Sequence, residues 1–151
     1  LIDPEVIDQT VRAFLDADPP VYFAANRLPG RRSSPIGLDT EVCSMAALER
    51  AWREADQPFQ REHVMPYLYE EPGRFRILLV NGEEDHGHYR WTVDTEKDLA
   101  LIRQIYQHFG GRDTFSWREV LELLEREPWL ANINAQVEHK TEHDVDARWD
   151  G

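Results

Sequence analysis

Asp94 closes a short run, Arg90-Trp91-Thr92-Val93-Asp94, that reads as a strand delivering a carboxylate to the start of a helix. A carboxylate there can hold a divalent cation, since α/β proteins bind ligands and metals at the carboxyl ends of strands. It can equally cap the helix, and the local pattern does not separate the two. Asp39 and Glu41 lie two residues apart, so on a strand both leave the same face and can meet a cation, a hydroxyl or an arginine. The plain alternative is two exposed acids on an edge strand. Arg61, Glu62 and His63 put a base, an acid and an imidazole on successive positions, with His63 and Tyr67 at helical spacing. An imidazole titrates near neutrality, yet a solitary helical His is more often solvated or hydrogen-bonded than catalytic.

Other candidates are weaker. His86 and His88 beside Glu84 and Asp85 lack the distant second pair of a structural zinc site, so they read as a turn. His139 and His143 fall in a polar tail, and Cys43 reads as a small core residue. No glycine-rich phosphate loop of either common pattern occurs in the chain.

These residues need elements to position them. Asp3-Pro4-Glu5 is a cap, a first-turn proline and a first-turn acid, which predicts a helix to about Asp16 with Ile7, Val11, Phe14 and Leu15 on one side. Val21 to Ala25 is a strand-length apolar run, and Asn26 to Ile36 is a loop rich in Pro, Gly, Ser and Arg. Leu38 to Cys43 alternates like a strand, after which Ser44 caps a helix whose stripe of Met45, Leu48, Trp52 and Ala55 is expected to be core. Phe59 to Tyr69 is a helix that Pro66 should kink or end. Phe75 to Val80 is a continuous apolar strand, buried on both faces if central. Thr95 with Asp98 resembles a capping box for a helix to Phe109, with Leu99, Ile102, Tyr106 and Phe109 in a row and Leu101 and Ile105 beside it. Ser116 opens a last helix with Val120, Leu121 and Leu124 inward, ending near Pro128. The succession predicts a layered α/β domain over residues 1–134, with 135–151 a polar, acidic, flexible tail.

Seventeen Lys and Arg against 29 Asp and Glu give a net charge of −12, which disfavours a general grip on nucleic acid or an anionic membrane. The single cysteine excludes an internal disulfide framework and fits a reducing compartment. No apolar run approaches the roughly 20 residues of a membrane span, and the expectation is a cytoplasmic protein. The chain opens on Leu1 directly before a helix cap, as a piece of a longer protein would.

Four motifs in order carry a resemblance: Leu1-Ile2-Asp3-Pro4, Pro35-Ile36-Gly37-Leu38-Asp39-Thr40-Glu41-Val42, Arg61-Glu62-His63-Val64-Met65-Pro66-Tyr67 and Arg90-Trp91-Thr92-Val93-Asp94-Thr95. Over Leu1 to about Val137 the chain resembles the spore coat polysaccharide biosynthesis protein F family, which is similar to acylneuraminate and deoxyoctulosonate cytidylyltransferases. The resemblance implies a nucleotide-diphospho-sugar transferase fold, a Rossmann-like layered mixed sheet with flanking helices, of which this chain is the carboxyl-terminal portion. It implies that CTP and a sugar or sugar acid give a CMP-sugar and pyrophosphate in surface polysaccharide biosynthesis.

By the same resemblance Asp94 matches a Mg²⁺-binding aspartate, and Gly37, Asp39 and Glu41 match a segment facing the sugar. Arg61 and His63 match a motif near the sugar pocket, where His63 would orient or deprotonate the attacking hydroxyl. Arg90 shares the Asp94 face and reads either as a clamp on a substrate carboxylate or as a bridge to Glu41. The family's first metal aspartate and nucleotide loop would lie upstream of Leu1, so the fragment alone is expected to be inactive. Two other readings stay open: a glycosyltransferase using a ready-made nucleotide sugar, and a non-catalytic regulatory or oligomerisation module. The 26–36 loop and the Phe59 to Tyr69 segment are surfaces that also admit a homodimer.

Overall fold

Side-chain oxygens start the long helices where the residue types predict. In the computed structural model, which describes residues 1–138, helix α1 runs Pro4–Asp16 and Asp3 caps it, its Oδ1 accepting from the Glu5 N–H at 2.8 Å. Ser44 caps α2, Met45–Glu54, by accepting from Ala47 N–H. Thr95 and Ser116 open α5, Glu96–His108, and α6, Trp117–Arg126, each within a complete capping box, with Asp98 and Glu119 as the third-position acids. Asp3 does a second job: its Oδ2 accepts the Trp117 N–H at 2.8 Å, which ties the starts of α1 and α6 together.

The sheet is short and mixed. β1, Phe23–Ala25, is central, with β4, Glu41–Cys43, antiparallel on one side and β5, Ile77–Leu79, parallel on the other. Between β1 and β4 the segment expected to be only a loop folds into a small hairpin, β2, Arg27–Leu28, and β3, Arg31–Arg32, turned at Gly30 with φ 68°. All three β1 residues are buried. Phe23 and Ala25 face α2 in one apolar cluster with Ala47, Ala51, Ala55, Tyr67 and Leu68. Alternation leaves Ala24 to the other face, where α1 lies. A second cluster joins Val6, Leu38 and Trp91 to Leu101 and Ile105 of α5 and Val120, Leu123 and Leu124 of α6.

Several expectations are corrected. The strand expected over Leu38 to Cys43 is regular only from Glu41. The strand expected over Phe75 to Val80 is regular only at Ile77–Leu79, and β5 lies at the sheet's edge and is half-buried, so the condition set for burial on both faces, a central place, is not met. The expected strand at Arg90 to Asp94 is reduced to a single parallel bridge between Ile36 and Arg90. Ala55 of the expected α2 stripe is buried, but the rest of the stripe is rotated: Ala47 and Ala51 are buried, while Met45 is 67% and Trp52 72% exposed. Both rows have helical spacing, and size decides between them, because only alanines let the α2 backbone approach the sheet closely. The displaced large side chains instead line a groove of about 420 Å³ shared with Gln60, Arg61 and Val64. On α5 the inward row is Asp98, Leu101 and Ile105, with Leu99 37% exposed. On α6 Leu123 replaces Leu121 as a buried residue.

The helix expected across Phe59 to Tyr69 divides, as Pro66 requires, into α3, Pro58–His63, and α4, Pro66–Tyr69. Val64 between them has φ 62°, a left-handed conformation that strains a β-branched side chain. The 3₁₀ turn Ala131–Ile133 then leads to Asn134, which is 2% exposed. Of the expected tail only residues 135–138 are described, and His139 and His143 lie outside the described residues.

Candidate functional site

The segment from Arg90 to Asp98 is held by ion pairing more than by strand pairing. Arg90 is 8% exposed, and a buried guanidinium needs charge-matched partners. It finds a fork-on-fork pair in Asp98: Arg90 Nε donates to Oδ1 at 2.9 Å and an Arg90 terminal nitrogen to Oδ2 at 3.1 Å. The same terminal nitrogen donates to Asp94 Oδ2 at 2.7 Å. Asp98 Oδ2 also accepts the backbone N–H groups of Asp94 at 3.1 Å and Thr95 at 3.0 Å. Asn134 Nδ2 completes the set, donating to Asp98 Oδ1 at 2.9 Å and to the Arg90 carbonyl at 2.8 Å.

Burial alone would raise the Asp98 carboxyl, but the Arg90 guanidinium, the Asn134 amide and the Asp94 and Thr95 donors overcome it and hold Asp98 well below the usual carboxylate range. The result is a rigid platform from which the Asp94 side chain, 61% exposed, stands out with one oxygen held by Arg90. Among the described residues the other oxygen of Asp94 carries no hydrogen bond. Asp94 is therefore not the helix cap, a task done by Thr95.

Gly37 joins this platform through the backbone. Ile36 N–H donates to the Tyr89 carbonyl at 2.9 Å and Trp91 N–H to the Ile36 carbonyl at 2.7 Å, which lays residues 35–38 along 89–92. Gly37 has φ 104°, and a Cβ there would lie 2.7 Å from Thr92 N and from the Trp91 carbonyl carbon. Only glycine fits, so Gly37→Ala is expected to cost about 1–3 kcal/mol through strain and collision. Urea denaturation checks this against Gly82→Ala, whose Cβ would meet nothing nearer than 3.6 Å and which should change stability by less than about 0.5 kcal/mol.

Asp39 and Glu41 do not share a regular strand. Asp39 precedes β4 and pairs with Arg32 of the hairpin at 2.8 Å, while Glu41 is half-buried on β4 opposite Ala25. Arg61 and His63 are both exposed on α3, with Arg61 donating to the Trp52 carbonyl at 2.7 Å. No hydrogen bond or ion pair joins His63 or Arg61 to Gly37 or Asp94 among the described residues. Tyr67 is not paired with His63, because the Val64 break separates them; its hydroxyl donates to Glu54 at 2.6 Å.

Sequence reasoning missed the full task of Asp98, which it read only as a cap acid, and missed Asn134 entirely. The fixed spacing to Thr95 revealed the first; nothing local could reveal contacts this far apart in the chain. It also passed over a polar cavity of about 370 Å³ at the carboxyl ends of β1 and β5, among Asn26, Ser33, Asn81, His86 and Trp117. His86 is fixed there by its N–H to the Ser33 carbonyl at 2.7 Å and by edge contact with the Trp117 ring.

A resident divalent ion has to fit this donor set. Among the described residues no group of three His, Cys, Asp or Glu side chains converges. The one exposed Asp94 oxygen does fit Mg²⁺, which takes one or two carboxylates and fills its remaining positions with water and phosphate.

The chain is similar to proteins whose names bear on this geometry. It is 29% identical to the spore coat polysaccharide biosynthesis protein SpsF of Bacillus subtilis over 130 residues, which is 84% of this chain and 51% of that protein. It is 35% identical to an uncharacterized protein of Methanocaldococcus jannaschii over 113 residues, 74% of this chain and 46% of the other. Its structure matches that of a cytidylyltransferase from Leptospira borgpetersenii serovar Hardjo-bovis with a TM-score of 0.79 and 26% identity, covering 93% of this chain and 56% of that one. The chain spans about half the length of the curated relatives it matches. No family model matches it.

Proposed function

We propose, for a chain whose likenesses support the carboxyl-terminal portion of a cytidylyltransferase-family protein, that the whole protein joins CTP to a sugar or sugar acid in surface polysaccharide biosynthesis. The observation that carries this reading is the likeness to a solved cytidylyltransferase over 93% of the chain. A mixed sheet with helices on both faces and no helix among the described residues long and apolar enough to cross a membrane agree with it.

In this reading a sugar hydroxyl attacks the α-phosphorus of CTP. The new phosphorus–oxygen bond forms as the bond to the bridging oxygen breaks, and pyrophosphate leaves with that electron pair. The hydroxyl proton passes to a base, for which His63 is the candidate because its exposed imidazole has no ion-pair or hydrogen-bond partner among the described residues. Arg61, Asp39 and Glu41 supply charged groups for the sugar, and Gly37 shapes the wall by holding the 35–38 segment against Trp91. Mg²⁺, when bound, neutralises charge developing on the phosphate oxygens, and Asp94 is the residue that would hold it. Arg90, already paired twice, is assigned to positioning Asp94 in place of a substrate carboxylate.

Pyrophosphate release by the full-length protein tests the proposal. With CTP, Mg²⁺ and a panel of neutral and acidic sugars, release should require both CTP and one class of sugar. Sugar transfer from a ready-made CMP-sugar, without pyrophosphate, would place the protein among glycosyltransferases instead. The 151-residue chain alone is expected to give no turnover in the same assay.

A further inference from the structure

Asp94 is exposed, and its direction is set from beneath by a carboxylate that five donors hold. Four of those donors belong to Arg90, Asp94 and Thr95, the same short segment that Asp98 organises. The Ile36 backbone and the buried Trp91 hold one end of this segment from outside, and the Asp98 carboxylate itself needs an outside partner of its own. Among the described residues the single donor to Asp98 from elsewhere is Asn134, and its amide spans the two ends of the segment, with bonds to Asp98 Oδ1 at 2.9 Å and to the Arg90 carbonyl at 2.8 Å. Asn134 is itself 2% exposed and follows the 3₁₀ turn Ala131–Ile133, whose neighbour Leu130 is packed in the α5–α6 core.

We infer that Asn134 is a positioning residue for the Asp94 carboxylate, transmitting the placement of the α6 end to the candidate cation ligand through Asp98 and Arg90. This rests on the reading of Asp94 as a metal ligand proposed above. The physical route is short. Asn134 fixes the rotation of the Asp98 carboxylate; that rotation fixes both the Arg90 fork and the Asp94 and Thr95 N–H groups; those in turn fix the Asp94 backbone and one of its oxygens. Outer partners of this kind orient ligands and commonly change metal affinity by roughly tenfold or more when removed.

The test uses the full-length protein and the variants Asn134→Ser, Asp94→Ala and their combination, with Asn134→Gln as the second single variant if the serine form does not fold. Backbone amide hydrogen exchange should quicken at Asp94 and Thr95 in the Asn134 variant while Leu101 and Ile105 stay protected. Mn²⁺ binding in the presence of CTP, followed by electron paramagnetic resonance, should weaken roughly tenfold in the Asn134 variant and show no further loss in the combination with Asp94→Ala. A uniform rise in exchange, unchanged Mn²⁺ binding, or an equal loss in the Asp94→Ala background would each overturn the coupling. Wild-type Mn²⁺ binding in Asp94→Ala alone would instead overturn the metal reading, and it is recognisable because a failed coupling leaves that variant defective.

Discussion

Asp98→Asn is expected to destabilise the fold by about 3–5 kcal/mol, the cost of leaving a buried guanidinium without its carboxylate. Arg90 is 8% exposed, and Asp94, a second carboxylate it pairs with, is mostly in solvent. The substitution is nearly isosteric, so packing around Leu101 and Ile105 is retained and the loss reports charge and hydrogen bonding. It also replaces an oxygen that accepts from two backbone N–H groups with a group that must donate at one side, which adds unmade bonds at the helix start. Urea denaturation measures the loss. An apolar pair, Arg90→Met with Asp98→Leu, should recover only the charge part of the loss, because it leaves no buried guanidinium without its carboxylate but still leaves the Asp94 and Thr95 N–H groups and the Asn134 amide without their acceptor. A single variant within about 0.5 kcal/mol of wild type would show that the pair does not hold the segment.

The same carboxylate sets an acid sensitivity. Asp98 titrates well below an ordinary carboxyl in the folded chain and near the ordinary value when unfolded. Its stabilising contribution is therefore complete near neutral pH and is lost progressively as pH falls below about 4, through the depressed folded range. In Asp98→Asn that part of the acid dependence should vanish.

The largest effect on turnover should come from Asp94→Asn. It keeps the side-chain shape and one acceptor oxygen for Arg90, and removes the negative charge at an exposed position. In the full-length protein the expected result is a fall of roughly 10²–10³ in Mg²⁺-dependent kcat, the range seen when one preorganised electrostatic contact is lost. Stability should change by less than about 1 kcal/mol, since an exposed ion pair contributes little. Kinetics and a thermal melt on one preparation separate the two quantities. Retained turnover would remove Asp94 from the chemistry and leave it as the exposed half of a structural pair.

Legibility in the sequence followed range. Asp3, Ser44, Thr95 and Ser116 all cap helices as read, because a side-chain oxygen and the N–H groups it serves lie within three residues. The alternation of elements likewise pointed to a layered α/β domain, and the resemblance carried by the ordered motifs added the mixed sheet with flanking helices that the structure has. Trp52 shows where the pattern stops: periodicity marks a stripe but not its rotation, and the choice between Trp52 and Ala51 depends on how near the sheet stands. Arg90 shows a second limit. Its face was legible, but Asp98 and Asn134 as its neighbours were not, because ion pairs across a fold leave no spacing signature. The site residues divide in the same way: Gly37 and Asp94 meet around one segment, while His63 and Arg61 remain on α3.

The order of strands in the sheet has a consequence in time. β1 is central and fully buried, yet its two partners arrive separately: β4 soon after it in the chain, β5 only after α2, α3 and α4. A growing chain can therefore form the antiparallel β1–β4 pair early and must hold Phe23-Ala24-Ala25 with one edge open until Ile77-Leu78-Leu79 emerges. Parallel, non-local pairing is the slow part of such folds. The β1–β5 ladder is thus the late step of sheet assembly, and the interval before it closes is when this chain is most exposed to pairing with a second copy of itself.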